Sequence, residues 1–217
     1  MEALLEQLKR SPKLMLYVDE LQATLRREQA ARERFRATLT EDVRAEFING
    51  EVVDHVTSRY KHILVVRRIE RLLSAFLDVR KLGVMASEHS LSTFTRNDYL
   101  PDISVWLPPK ADEIDLDQLL FPVPDFICEV LSPSTEAHDR GVKFEDYAAH
   151  GVGEYWLVDP DALTVEQYLL KDGTYALHVK ANNGDITSTV VPGFTMPVAA
   201  AFDDDANLAA LWKLAPR

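Results

Sequence analysis

Apolar residues fall at helical spacing in two stretches of the chain. Between positions 19 and 40, Leu21, Leu25, Phe35 and Leu39 form a sparse stripe with no Gly or Pro to interrupt it, and Asp19 stands where a cap would. Between positions 59 and 79, Ile63, Val66, Ile69, Leu73 and Phe76 share one face, which predicts a core-facing helix stopped near Gly83. Asn49-Gly50 is a hairpin turn signal dividing two β-like arms, 45–48 and 51–56. Strand-like runs follow at 84–87, 90–94, 102–107 and 126–131. Ser132-Pro133-Ser134 ends the last of them, and the pattern predicts a helix of about a dozen residues ending near His150, with Gly151 as its stop. A strand at 154–158 closes on Asp159-Pro160. The remainder reads as a β meander, with strands at 164–170, 175–180 and 186–191 and a tail at 198–202 and 208–214. The order predicts an α/β (α+β) mixed sheet with flanking helices and a C-terminal β meander, rather than an alternating βαβ series.

Composition narrows the class. A chain of 217 residues with 47% hydrophobic and 27% charged residues can bury one sizeable core. Residues 1–34 read as an N-terminal helical extension and 35–217 as the domain. The lone Cys128 excludes a disulfide framework and a Cys-rich zinc site, and its apolar neighbours predict a buried structural thiol. The acidic start lacks a secretory apolar core, and no run approaches the ~20 apolar residues of a membrane span. The expectation is a cytoplasmic protein without a membrane partner. Six histidines occur without H-E-x-x-H spacing, and G-x-S-x-G, P-loop and dinucleotide patterns are absent, so no nucleotide cofactor is expected. Ser132 and Ser134 read as backbone caps. A net charge of −11 with pI near 5.0 argues against a broad basic footprint.

The candidate chemistry starts from two acids. Asp102 opens an apolar β run behind Pro101, and Glu129 sits inside Phe126-Ile127-Cys128-Glu129-Val130-Leu131. A carboxylate in a buried strand is costly unless its charge is compensated. Two of them on neighbouring strands suggest a shared divalent cation. In the helix expected next, Asp139, Lys143 and Tyr147 recur at four-residue spacing and share a face. Arg59, Tyr60 and Lys61 make a basic-aromatic cluster at the mouth of the second helix, suited to nucleic acid. The acidic loop 112–117 would repel DNA, so it faces away from the site or guards it. Trp106, Tyr155 and Trp156 lie in strand patterns and are expected in the core.

Taken together, Pro101-Asp102, the run from Glu129 to Thr135, Asp139, Lys143, Tyr147 and the segment from Gly151 to Pro160 resemble the bacterial restriction endonuclease family formerly filed as a domain of unknown function, a branch of the PD-(D/E)XK nuclease superfamily. Glu46-Phe47-Ile48-Asn49-Gly50-Glu51 is similar to its opening pattern. The resemblance covers roughly residues 35 to 205. It implies a restriction-endonuclease-like PD-(D/E)XK core and a Mg²⁺-dependent endodeoxyribonuclease acting on DNA, with Mn²⁺ as a possible substitute and a homodimer as the assembly. Asp102, Glu129 and the Val130 carbonyl would be the metal ligands. Glu51, at the start of a β arm, is preferred to Glu46 as the third acid. The superfamily pattern places a lysine two residues after Glu129, where this chain has Leu131; Lys143 is the expected replacement. His62, Lys61 and Tyr147 are the expected substrate contacts. The alternative is a catalytically degenerate nuclease fold serving as a homo-oligomeric interaction or regulatory module.

Overall fold

The strand Phe126–Val130 has no exposed position, and the sheets and helices are arranged around it. The computed structural model describes residues 2–55 and 57–214; Met1, Val56 and residues 215–217, which end some of the expected segments, lie outside the described residues. Its helices are α1 (Glu2–Lys9), α2 (Leu14–Ala37), α3 (Tyr60–Arg80), α4 (Glu136–Asp139), α5 (Val142–Ala149) and α6 (Asp204–Leu214). Its strands are β1 (Ala45–Ile48), β2 (Glu51–Asp54), β3 (Val84–Ser87), β4 (Leu91–Thr93), β5 (Asp98–Tyr99), β6 (Ile103–Trp106), β7 (Leu120–Phe121), β8 (Phe126–Val130), β9 (Glu154–Asp159), β10 (Thr164–Lys171), β11 (Thr174–Ala181), β12 (Asp185–Thr187) and β13 (Thr195–Pro197).

The main sheet runs β11-β10-β9-β8-β6-β3, with β8 and β9 parallel and its other pairs antiparallel. A second sheet runs β2-β1-β5-β4-β7, and β12 pairs with β13. Alternation along β8 decides what each face receives. Phe126, Cys128 and Val130 enter one core with α3 residues such as Ile69, Leu72 and Leu73, together with the C-terminal segment. Ile127 and Leu131 enter the opposite core with Tyr147, Tyr155, Tyr99 and Phe94. Glu129 belongs by alternation to this second, aromatic face. The mixed α/β architecture expected from the sequence is what forms, and Cys128, Trp106, Tyr155 and Trp156 are all buried.

Three expectations are corrected. The helix expected from position 19 starts at Leu14, after Pro12 and Lys13, so Asp19 lies inside α2 rather than capping it. The helix expected up to His150 is two helices, broken at Arg140-Gly141. A Cβ on Gly141 would lie 2.6 Å from the Ala137 carbonyl oxygen, so only glycine fits the break. The tail is helical, not β: 198–201 form a 3₁₀ turn and 204–214 form α6. Asp203 caps that helix, accepting from the Ala206 N–H at 2.8 Å.

Candidate active site

Asp102 and Glu129 meet through reciprocal hydrogen bonds. The Asp102 N–H donates to Glu129 Oε2 at 3.0 Å, and the Val130 N–H donates to Asp102 Oδ2 at 2.7 Å. The antiparallel register of β6 against β8, which pairs Ile103 with Cys128, sets the two acids side by side at one end of the strands. Val130 thus contributes its N–H to Asp102.

The ammonium missing from position 131 arrives from α5. Lys143 Nζ lies 3.0 Å from Glu129 Oε1, 3.0 Å from Glu46 Oε1 and 3.4 Å from Asp139 Oδ1. Tyr147 OH donates to Glu129 Oε1 at 3.0 Å. Leu131 shares the Glu129 face but is spent in the aromatic core, at 5% exposure. The break at Gly141 leaves Asp139 and Lys143 on separate helices and still in contact.

His62 comes in from α3, with Nε2 at 3.2 Å from Asp102 Oδ1. Lys61, beside it, lies on the rim and pairs with Asp161 in the β9–β10 turn. The residues enclose a cleft of about 340 Å³, lined on its far side by Ser132, Ser134, Thr135 and His138.

Of the expected acids, Glu51 does not join the cluster. It sits exposed on β2, the edge strand, opposite Ile48. Glu46 takes the place instead: β1 is covered on both sides by β2 and β5, and Glu46 is 3% exposed. Glu88 is a residue that sequence reasoning missed. It follows β3, outside any motif, and its N–H donates to the Asp102 carbonyl at 3.1 Å. His62, Glu88 and Asp102 each present a ligand atom within 4.8 Å of the others.

Charge is unbalanced here. Glu46, Glu129 and Asp139 face one lysine, and Asp102 adjoins Glu129. Burial works against the Lys143 charge, but Glu129, Glu46 and Asp139 outweigh it and raise its pKa well above the ordinary value, so it stays an ammonium. Burial pushes Glu129 well up, with Lys143 opposing and the neighbouring acids adding to the rise. Burial also opposes the Glu46 charge, yet Lys143 and His55 hold that carboxyl at about 2. For His62, burial is outweighed by the bond to Asp102 and by Glu88, and its pKa is raised. Asp139 Oδ1 is buried without a hydrogen-bond partner among the described residues. Several carboxylates held by one ammonium are a donor set that fits a divalent cation.

The family model Uma2, described as "Putative restriction endonuclease", matches residues 32–199. Two uncharacterised Synechocystis sp. proteins are similar: slr1290 at 29% identity over 129 residues, and sll1609 at 28% over 127. Each alignment spans 58% of this chain, and they cover 66% and 71% of the respective relatives, the first a little under two thirds. The crystal structure of a putative nuclease belonging to DUF820 from Anabaena variabilis superposes with a TM-score of 0.66 at 18% identity, covering 82% of this chain and 97% of that one. That likeness shows a shared fold. With the family model spanning most of the chain, this protein belongs to the Uma2 restriction endonuclease family.

Proposed function

We propose that this chain is a divalent-cation-dependent endodeoxyribonuclease that hydrolyses DNA phosphodiesters, with Mg²⁺ as its ion and Mn²⁺ as a substitute. The observation that carries the reading is Lys143 Nζ at 3.0 Å from Glu129 Oε1, because it supplies the ammonium that the Leu131 position lacks. Asp102 and Glu129 would hold the ion, with the Val130 carbonyl as a third oxygen. When bound, the ion would polarise the scissile phosphate and lower the pKa of an attacking water.

The chain's own residues have definable tasks. Lys143, set among Glu129, Glu46 and Asp139, serves as a positive charge and hydrogen-bond donor. Together with Tyr147 it locks one Glu129 oxygen, while the Asp102 N–H locks the other. His62 steadies Asp102. Lys61 and the Ser132, Ser134 and Thr135 hydroxyls line the cleft where a phosphate backbone would pass. Tyr147 is fully buried, so its task in this reading is to position Glu129; direct contact with substrate is left to the cleft residues.

We place a homodimer in the same reading. Leu4, Leu5, Met15, Leu16, Leu21 and Leu25 are exposed on α1 and α2, a concentration of apolar surface that a second copy could cover. The function is tested by nicking of supercoiled plasmid with and without Mg²⁺, for the wild type and Glu129→Ala. Cleavage that requires both the ion and Glu129 supports the reading. No cleavage in Mg²⁺ or Mn²⁺ sinks it and leaves a binding module.

A further inference from the structure

We propose that His62, Glu88 and Asp102 form a second cation position beside the Asp102–Glu129 pair, one that takes a divalent transition-metal ion in preference to Mg²⁺. This deepens the nuclease reading and rests on it for the first position.

Three observations carry the assignment. The ligand atoms of the three residues lie within 4.8 Å of one another, so one ion can touch all three. The Glu88 carboxylate makes no hydrogen bond or ion pair among the described residues, although it is half-buried and its backbone is tied to Asp102. The His62 residue is 6% exposed, and among the described residues Asp102 is the polar side chain its ring meets, through Nε2 at 3.2 Å. Nε2 is the ring nitrogen turned toward Asp102, so it is the one that an ion shared with Asp102 would take.

The donor types set the preference. Mg²⁺ is a hard cation that takes oxygen ligands and dehydrates reluctantly. An imidazole nitrogen with two carboxylates suits a softer divalent ion, and the affinity order of first-row metals begins at Mn²⁺. At the Asp102–Glu129 pair the side-chain donors are all oxygen, and no such preference arises. Asp102 belongs to both positions through different oxygens: Oδ1 faces His62, and Oδ2 lies on the Glu129 side under the Val130 N–H.

The test is a Mn²⁺ titration of the full chain, read by electron paramagnetic resonance, without DNA and with Mg²⁺ in large excess. One Mn²⁺ per chain is expected to stay bound in the wild type. Glu88→Gln and His62→Gln should each weaken it on the order of tenfold or more, while Glu129→Gln retains it. Glu88 is half-buried and unpaired, so a melting curve should find Glu88→Gln folded even if His62→Gln is not. Mn²⁺ affinity unchanged in Glu88→Gln, or Mn²⁺ displaced by Mg²⁺ in the wild type, overturns the assignment. A chain that cleaves DNA in Mg²⁺ but binds Mn²⁺ independently of Glu88 loses only this second position. A chain that binds Mn²⁺ through Glu88 but cuts no DNA loses only the nuclease reading.

Discussion

At Glu129 three donors meet two oxygens: Lys143 and Tyr147 on one, the Asp102 N–H on the other. Removing the ammonium leaves Glu129, Glu46 and Asp139 buried with no cation between them. Lys143→Ala should therefore abolish cleavage and also destabilise the fold by about 3–5 kcal/mol, measured by urea denaturation in the absence of metal. A variant as stable as the wild type would show that the cluster is not held by this lysine. Asp102 and Glu129 were legible because a carboxylate inside an apolar β run needs a reason. Lys143 and Tyr147 were legible because their spacing puts them on one face. Glu88 was not, since a lone acid after a short strand carries no pattern. The choice of Glu51 over Glu46 failed because both flank the same turn. Only the sheet order makes β1 internal and β2 an edge.

Among the elements, the junction of α4 and α5 is tied to β10 by Arg140, whose guanidinium donates to both Glu166 oxygens at 2.7 and 3.1 Å. Burial opposes the Glu166 charge, but bonds from Arg140, Lys180 and Tyr168 outweigh it and hold the carboxyl at about 2, below its ordinary 4.5. A lowered carboxyl pKa stabilises the fold fully above the ordinary value, and that contribution disappears as pH falls through about 2. Glu166→Gln should therefore flatten the fall in urea midpoint between pH 4.5 and 2. Identical pH slopes in the two proteins would contradict it. A second tie docks α2: Arg32 and Arg36 both fork onto Asp98, which is 0% exposed. Replacing both arginines with alanine should cost about 3–5 kcal/mol and raise amide exchange along α2; protection equal to the wild type would count against this docking. The apolar periodicity of α3 announced that helix, and the Asn49-Gly50 turn announced the hairpin. The α4–α5 break and α6 were hidden, since one depends on contact with the Ala137 carbonyl and the other has no clean apolar stripe.

At the scale of the whole molecule, a net charge of −11 coexists with a site that gathers carboxylates around one ammonium. Part of the acidity that argued against a phosphate partner is thus concentrated where a cation would offset it. Among the described residues no helix is long and apolar enough to cross a membrane. In the proposed homodimer the exposed leucines of α1 and α2 form the contact. Leu21→Glu with Leu25→Glu should convert a dimer to a monomer in light scattering, and a wild type already monomeric at high concentration would remove the dimer. The fold class followed from the order of helical and β patterns, whereas assembly leaves no comparable mark in one chain.

In the proposed function, Asp102 and Glu129, with Lys143 beside them, form a cation-dependent DNA-cleaving centre. Plasmid nicking by the purified full chain in Mg²⁺, repeated with chelator and with Glu129→Ala, tests it most directly. Nicked product is expected from the wild type in Mg²⁺, and none in either control. Equal nicking by Glu129→Ala, or intact plasmid with the wild type in both Mg²⁺ and Mn²⁺, would contradict it.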